Sequence, residues 1–221
     1  MVYWEQRKEK QEEYATSYCN WSKGDPLMEA YHDEEWGVPL HDDKKLFEFL
    51  MLESLQCGLS WMLMLKKREI FRECFAGFDY KRVARFAEED VEKILAVPGM
   101  LRSPRKVTAV IQNAKCYEAV CEEFGSFDTY LWRFTDGKTV LYDGHKDGWI
   151  PVSNQLSEEI AKDLKKRGFR YLGSITVYSY LQACGVINDH GENCSCYEKI
   201  NRRFPTISLP CCEETGSVQY N

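Results

Sequence analysis

Cysteine and histidine stand in pairs at opposite ends of this chain: Cys19 with His32 near the start, His190 with Cys194 near the end. Cys and His are the usual zinc ligands, and four of them make a closed tetrahedral site with no position open to a substrate. A site of that kind would oblige the two ends to meet, and chelation would then act on stability. Any chemistry would have to lie in the stretch between them. The spacing from Cys19 to His32 is not that of a zinc finger, and Cys196 competes with Cys194. On spacing alone, ordinary buried cysteines and hydrogen-bonded histidines are the first reading and the clamp is the alternative.

The 221 residues suffice for one domain with a sizeable core, and 44% hydrophobic with 14% aromatic residues fits a globular chain. No apolar run approaches the length of a membrane span, so no membrane partner is expected. Residues 1–13 are densely charged and lack the apolar core of a signal peptide. An intracellular location follows as an expectation: cytoplasmic in a bacterium, nuclear or organellar in a eukaryote. In such a reducing compartment the ten cysteines read as thiols and metal ligands rather than disulfides. The net charge of -6 argues mildly against a nucleic-acid coat but leaves room for a local basic face.

The pattern is helical nearly throughout. Residues 1–18 form a polar extension, 19–200 the domain, and 201–221 a flexible tail rich in Pro, Ser, Glu and Gly. A helix is expected from Asp42 or Asp43, with Leu46, Phe47, Leu50 and Leu55 apolar. Others are expected over 60–75, 88–97, from Ser103-Pro104, over 157–167 and over 175–184. Residues 135–153 carry several Gly and Asp and read as a loop with short strands. The class is all-α with one long loop, and no internal repeat is visible.

Three groups of residues bear chemistry. Positions 46, 50, 53 and 57 share one helix face, so Glu53 lies in line with Leu46, Leu50 and Cys57. A carboxylate there either finds a partner or accepts a raised pKa; the other reading is a rim position capping a backbone N–H. Trp21, Tyr31, Trp36 and Trp61 flank that helix and the first Cys/His pair. They suit a flat ligand, or are simply core. Finally, residues 91–117 around Val97-Pro98-Gly99-Met100 read as helix–hairpin–helix, a tight turn presenting backbone N–H groups to a phosphate. Arg102, Arg105 and Lys106 lie beside it, with further basic clusters at Lys66-Lys67-Arg68 and Lys165-Lys166-Arg167. Together they suggest a surface for a nucleic-acid backbone without base readout.

Several of these segments resemble the bacterial DNA-3-methyladenine glycosylase I family. They are Asp25-Pro26-Leu27, Tyr31-His32-Asp33, Glu35-Trp36-Gly37-Val38-Pro39, Leu52-Glu53 with Gly58-Leu59-Ser60-Trp61, and Lys66-Lys67-Arg68-Glu69. Leu164-Lys165-Lys166-Arg167-Gly168-Phe169, Gln182-Ala183-Cys184-Gly185 and Asn188-Asp189-His190 continue the match, which is collinear from about Cys19 to Tyr197. The resemblance implies a helix–hairpin–helix DNA glycosylase fold, monomeric, acting on double-stranded DNA that contains alkylated adenine. It implies a structural zinc ion on Cys19, His32, His190 and Cys194. It also implies a base pocket of Glu53, Tyr31, Trp21, Trp61 and Ser179, with Glu53 on the adenine edge and both indoles stacked on the base. Leu59 matches the family's wedge, and Gly99, Arg102, Arg105 and Lys106 fall at the hairpin that takes DNA.

The implied reaction is hydrolysis of the N-glycosidic bond of 3-methyladenine, with no lyase step. Members of the family lack the catalytic Asp of other helix–hairpin–helix glycosylases, and none stands between Ser103 and Tyr117. Methylation at N3 leaves the adenine cationic, so the leaving base needs no further proton. Indole faces favour such a base over neutral adenine by roughly 0.5–2 kcal/mol per contact, and an ionised Glu53 would add to that. Met28 stands where the bacterial pattern has Tyr, Cys57 where a small residue is usual, and residues 135–153 depart from the pattern. The alternative from another class is a non-catalytic protein that binds damaged DNA or a modified purine on the same scaffold.

Overall fold

Side-chain caps set where several helices begin in the computed structural model, which describes residues 18–143 and 150–210. Asp25 accepts from the backbone N–H of Leu27 at 2.9 Å and starts α1 (Pro26–Glu34), with Pro26 in the first turn. Asp42 caps α2 (Asp43–Gln56) through Lys45 N at 2.8 Å. Ser60 caps α3 (Trp61–Lys66) through Leu63 N at 3.3 Å. The single helix expected over 60–75 is two, because the chain turns at Lys67 before α4 (Arg68–Cys74).

Short α5 (Tyr80–Val83) leads to α6 (Glu88–Ala96), a turn, and α7 (Pro104–Phe124). The turn is the expected hairpin. Gly99 holds φ +85° there, and a Cβ on it would meet Ile70 Cδ1 at 2.8 Å, so a side chain would be strained on two counts. Next come α8 (Phe127–Trp132), β1 (Thr139–Tyr142) and α9 (Gln155–Lys166), which opens on a reciprocal Asn154–Ser157 capping box. Last are α10 (Ser174–Ala183), α11 (Ser195–Arg203) and β2 (Thr206–Leu209).

Helix α2 is the axis of the core. Leu46, Phe47, Leu50, Met51, Leu52 and Leu55 are fully buried, so the helix is apolar nearly all round and other helices cover it on several sides. It packs on α7, α8 and α10. Tyr117 of α7 stacks on Phe127 with centroids 4.0 Å apart, and its hydroxyl donates to Asp43 O at 2.7 Å. No helix among the described residues is long and apolar enough to cross a membrane.

Two expectations are corrected. A short strand within 135–153 was expected and is β1, but the fold is mostly helical rather than all-α: β1 pairs in parallel with β2, Thr139 opposite Thr206, and Val140 also bridges to Ile187. Order therefore continues past residue 200. Cys196 and Ile200 are buried one turn apart on α11, which anchors that helix, and the strand behind it satisfies its backbone on β1. The extension before residue 18 and the Cys211-Cys212 pair lie outside the described residues.

Asn113 ties the core to the loop before α10. It is fully buried, accepts from Arg170 N at 2.7 Å and donates to Arg170 O at 3.1 Å. Replacing it with alanine leaves both backbone groups without partners. Asn113→Ala should lower unfolding free energy by about 2–4 kcal/mol, read by urea denaturation.

Candidate base-binding site and metal cluster

Glu53 sits on the axial helix with only 4% of its surface exposed. Of the two readings of its position, the buried one holds: Oε2 has no hydrogen-bond partner, so the carboxyl caps nothing through that oxygen. Burial pushes it up to about 8, which makes it a neutral acid at pH 7. Tyr31, from α1, is buried beside it and is itself pushed up, first by burial and then by the neighbouring Glu53.

Around this carboxyl lies a cavity of about 230 Å³ lined by Trp21, Tyr31, Trp36, Glu53, Gln56, Trp61, Ser179 and Gln182. All five residues expected from the sequence to form a base pocket line it. The walls come from far apart in the chain: the segment before α1, α1 itself, α2, the start of α3 and the middle of α10. Tyr31 and Trp61 have centroids 5.3 Å apart, and Trp21 stands edge-on to Trp36 at 5.1 Å. The Trp61 indole N–H is buried without a partner. Ser179 donates to Ile175 O at 3.3 Å. A flat heterocycle with polar edges suits such a space. Gln56 and Gln182 were missed by sequence reading, yet each follows a recognised lining residue by three positions on the same helix face. Met28 is buried but is not part of the lining.

The Cys/His pairs from the two ends meet. One donor atom from each of Cys19, His32, His190 and Cys194 lies within 4.8 Å of the others. His190 Nδ1 is 3.2 Å from His32 Nε2, and Cys194 Sγ is 3.6 and 3.7 Å from those two nitrogens. Cys19 Sγ lies 3.8 Å from His190 Nδ1. The competing thiol, Cys196, instead approaches Asp33 at 3.9 Å.

Hydrogen bonds on the outer side decide the tautomers. His32 Nδ1 faces the Asp33 carboxylate at 2.8 Å, and His190 Nε2 faces Trp36 O at 2.9 Å. Each ring therefore donates outward and turns an unprotonated nitrogen inward. Two lone pairs facing each other beside two thiols call for a cation between them, so the donor set fits a metal ion. Burial pulls His190 down to about 4, which keeps it neutral and able to ligate. Gly37, at φ +79°, lets the chain pass close to this ring: a Cβ there would meet His190 Cδ2 at 2.9 Å.

The expected DNA-facing residues divide. Leu59 stays 38% exposed on the turn between α2 and α3, which joins the lining residues Gln56 and Trp61. Arg102 and Arg105 are exposed and form no ion pair among the described residues. Lys106 is different: its ammonium donates to Leu55 O and Cys57 O, both at 2.7 Å, and so closes the C-terminus of α2. This structural contact was not expected from the sequence. Lys67 likewise donates to Gly99 O on the hairpin. Arg68 is only 12% exposed and is spent on Glu35 and Glu48, and Arg167 is spent on Asp163 and Glu123. The basic clusters are thus less available than counting charges implied.

The raised Glu53 acid has a signature in stability. Between about 4.5 and 8 the folded protein holds a proton that the unfolded chain has lost. Stability is therefore greatest below that window and falls as pH rises through it. Glu53→Gln should flatten this slope, so the wild-type loss in denaturation midpoint between pH 5 and pH 8.5 should shrink in the variant.

Residues 21–197 match the family model described as methyladenine glycosylase. DNA-3-methyladenine glycosylase 1 of Escherichia coli K12 is 44% identical over 179 residues, 81% of this chain and 96% of that protein. DNA-3-methyladenine glycosylase of Haemophilus influenzae is 37% identical over 181 residues, 82% of this chain and 98% of that protein. A crystal structure of 3-methyladenine DNA glycosylase I superposes with a TM-score of 0.76 at 46% identity, over 80% of this chain and 98% of that one. The Staphylococcus aureus enzyme, solved for its recognition of 3-methyladenine, superposes with 0.77 at 35% identity, over 82% and 96%. The family match takes in every residue of the cavity lining and the relatives are covered over nearly their whole length, so this chain belongs to the methyladenine glycosylase family.

Proposed function

We propose that this protein is a base-excision repair glycosylase that hydrolyses the N-glycosidic bond of 3-methyladenine in double-stranded DNA, as a monomer and without a lyase step. One observation carries the reading: a buried carboxyl, Glu53, with an unpartnered oxygen in an aromatic cavity sized for a single base. Such a group is costly to bury, and its Oε2 has no structural partner to explain it. The relatives named for this activity support it.

Selection follows from charge. In the free protein Glu53 is neutral at pH 7. A base methylated at N3 is a fixed cation; next to it the ionised carboxylate is favoured, so the proton leaves as the base enters. The electron-rich faces of Trp21, Tyr31 and Trp61 favour the same cation. An unmodified adenine offers neither gain and must still be unstacked at a cost of a few kcal/mol. In the chemical step the C1′–N9 bond breaks and its electron pair leaves with the base, which becomes neutral. Water adds to C1′ and gives up a proton. Leu59 would fill the gap left in the duplex, while Gly99, Arg102 and Arg105 would hold the backbone. We infer zinc on Cys19, His32, His190 and Cys194, where four protein ligands leave no open position and confine the metal to holding the chain ends together.

Release of free base from N-methylated DNA, resolved by chromatography, tests the enzyme. Wild type should release 3-methyladenine, and Glu53→Ala should lose about 10²-fold or more in rate, the scale of one preorganised electrostatic group. Equal release by both would remove Glu53 from the reaction. Binding of abasic DNA with no release by wild type would mark a damage-binding protein instead. For the metal, elemental analysis should find zinc in the purified protein, and Cys194→Ser should both lose it and lower Tm. A metal-free sample of unchanged Tm would sink the clamp.

A further inference from the structure

Gln182 lines the same cavity one helical turn after Ser179 on α10. Its amide nitrogen donates to Asp189 Oδ2 at 2.8 Å, and the Tyr178 hydroxyl donates to the same oxygen at 2.7 Å. Asp189 is 2% exposed. Its neighbours are fixed as well: Asn188 Nδ2 donates to Asn201 Oδ1 at 2.9 Å, and Asn188 Oδ1 accepts from His190 N at 3.2 Å. The backbone carbonyl of Gln182 accepts from Gly37 N at 3.1 Å, which pins the helix at this point to the N-terminal segment.

A carboxylate can only accept hydrogen bonds. It therefore decides which end of the glutamine amide it meets, and that end is the NH₂. The carbonyl oxygen is held at the other end, on a side chain that lines the cavity. Rotating the amide by half a turn would set its carbonyl against the Asp189 carboxylate and bury two acceptors face to face, so the orientation is locked. An unanchored glutamine would serve as donor or acceptor as the ligand required. This one keeps its NH₂ on Asp189 and its oxygen at the other end, and the two cannot change places.

Adenine carries an amino group at C6, a donor, where guanine carries an oxygen, an acceptor. We propose that Gln182, held by Asp189, is a specificity-determining residue that accepts a hydrogen bond from the exocyclic amine of the alkylated purine and rejects bases with an oxygen there. This rests on reading the cavity as the base pocket. Gln182 is the residue in contact with the base, and Asp189 is a positioning residue that acts through it. Rejection arises because a 6-oxo base would press its carbonyl against a carbonyl that cannot turn away.

Methylated DNA containing both 3-methyladenine and 3-methylguanine supplies the test, with the two released bases measured separately for wild type, Gln182→Met and Asp189→Asn. Met keeps the length of the side chain and removes the acceptor. Asn can turn its own oxygen or nitrogen toward Gln182 and so frees the amide to rotate. Wild type should prefer 3-methyladenine, and each variant should lower the 3-methyladenine to 3-methylguanine ratio by about tenfold, the scale of one lost pairing contact to a base edge. A purely structural defect would slow both releases together and leave the ratio unchanged. An unchanged ratio in Gln182→Met, with wild type active, overturns the proposal while the pocket reading stands. Should Asp189→Asn fail to fold, the Met variant decides alone. No release of either base by folded wild type would overturn the pocket reading, and this proposal with it.

Discussion

The meeting of the two chain ends is the constraint on which the rest of the site depends. Residues 18–37 form little more than a short turn and one nine-residue helix, too little to fold alone. They are held by His190 against Trp36, by the Cys/His cluster and by the backbone bond from Gly37 to Gln182. Trp21, Tyr31 and Trp36 ride on that segment, and they make up one side of the cavity. The opposite side belongs to α2 and α10, which are anchored in the core. A cavity with one wall on the core and one on a tethered arm is only as well defined as the tether.

Burial gives the site its polarity. Most of α2 is committed to apolar packing, and the same tightness that excludes water from Leu50 and Leu52 leaves Glu53 unable to ionise near neutrality. The helix that holds the fold together thereby also makes its most reactive acid. Glu48, on the same helix and nearly as buried, is treated in the opposite way. Arg68 and Arg72 reach it at 2.6 and 2.7 Å, so it is a paired structural charge. Two carboxylates five residues apart differ in role because one is given cations and the other is given space.

Much of this was legible in the sequence. The Asp42 cap, the Pro98-Gly99 turn and the Ser103-Pro104 start are local signals with local causes, and the structure has them. The apolar face carrying Glu53 was visible as a period, although only the structure separates a buried acid from a rim cap. What escaped depends on partners distant in the chain. The strand at Thr206–Leu209 is four residues long and gains its order from pairing with β1, a contact that composition read as a tail could not reveal. Lys106 looked like one more positive charge beside a hairpin; that it faces the carbonyl ends of α2 follows only from how α7 is docked. Gln182 carries no chemical signal of its own until Asp189 is found next to it.

Lys106 has a mechanical meaning as well. It springs from the first turn of the hairpin's second helix and grips the carbonyls of Leu55 and Cys57, the last rigid points before Leu59. Lys67, just past α3, grips the hairpin at Gly99 from the other side of the same turn. The loop that bears Leu59 and the hairpin loop are thus tied to each other through two lysines. On the proposed reading, in which a duplex is held by its backbone, such bracing works as a depth gauge. Where a phosphate settled on the hairpin would then fix how far the leucine reached toward the bases, with no separate hinge to adjust it.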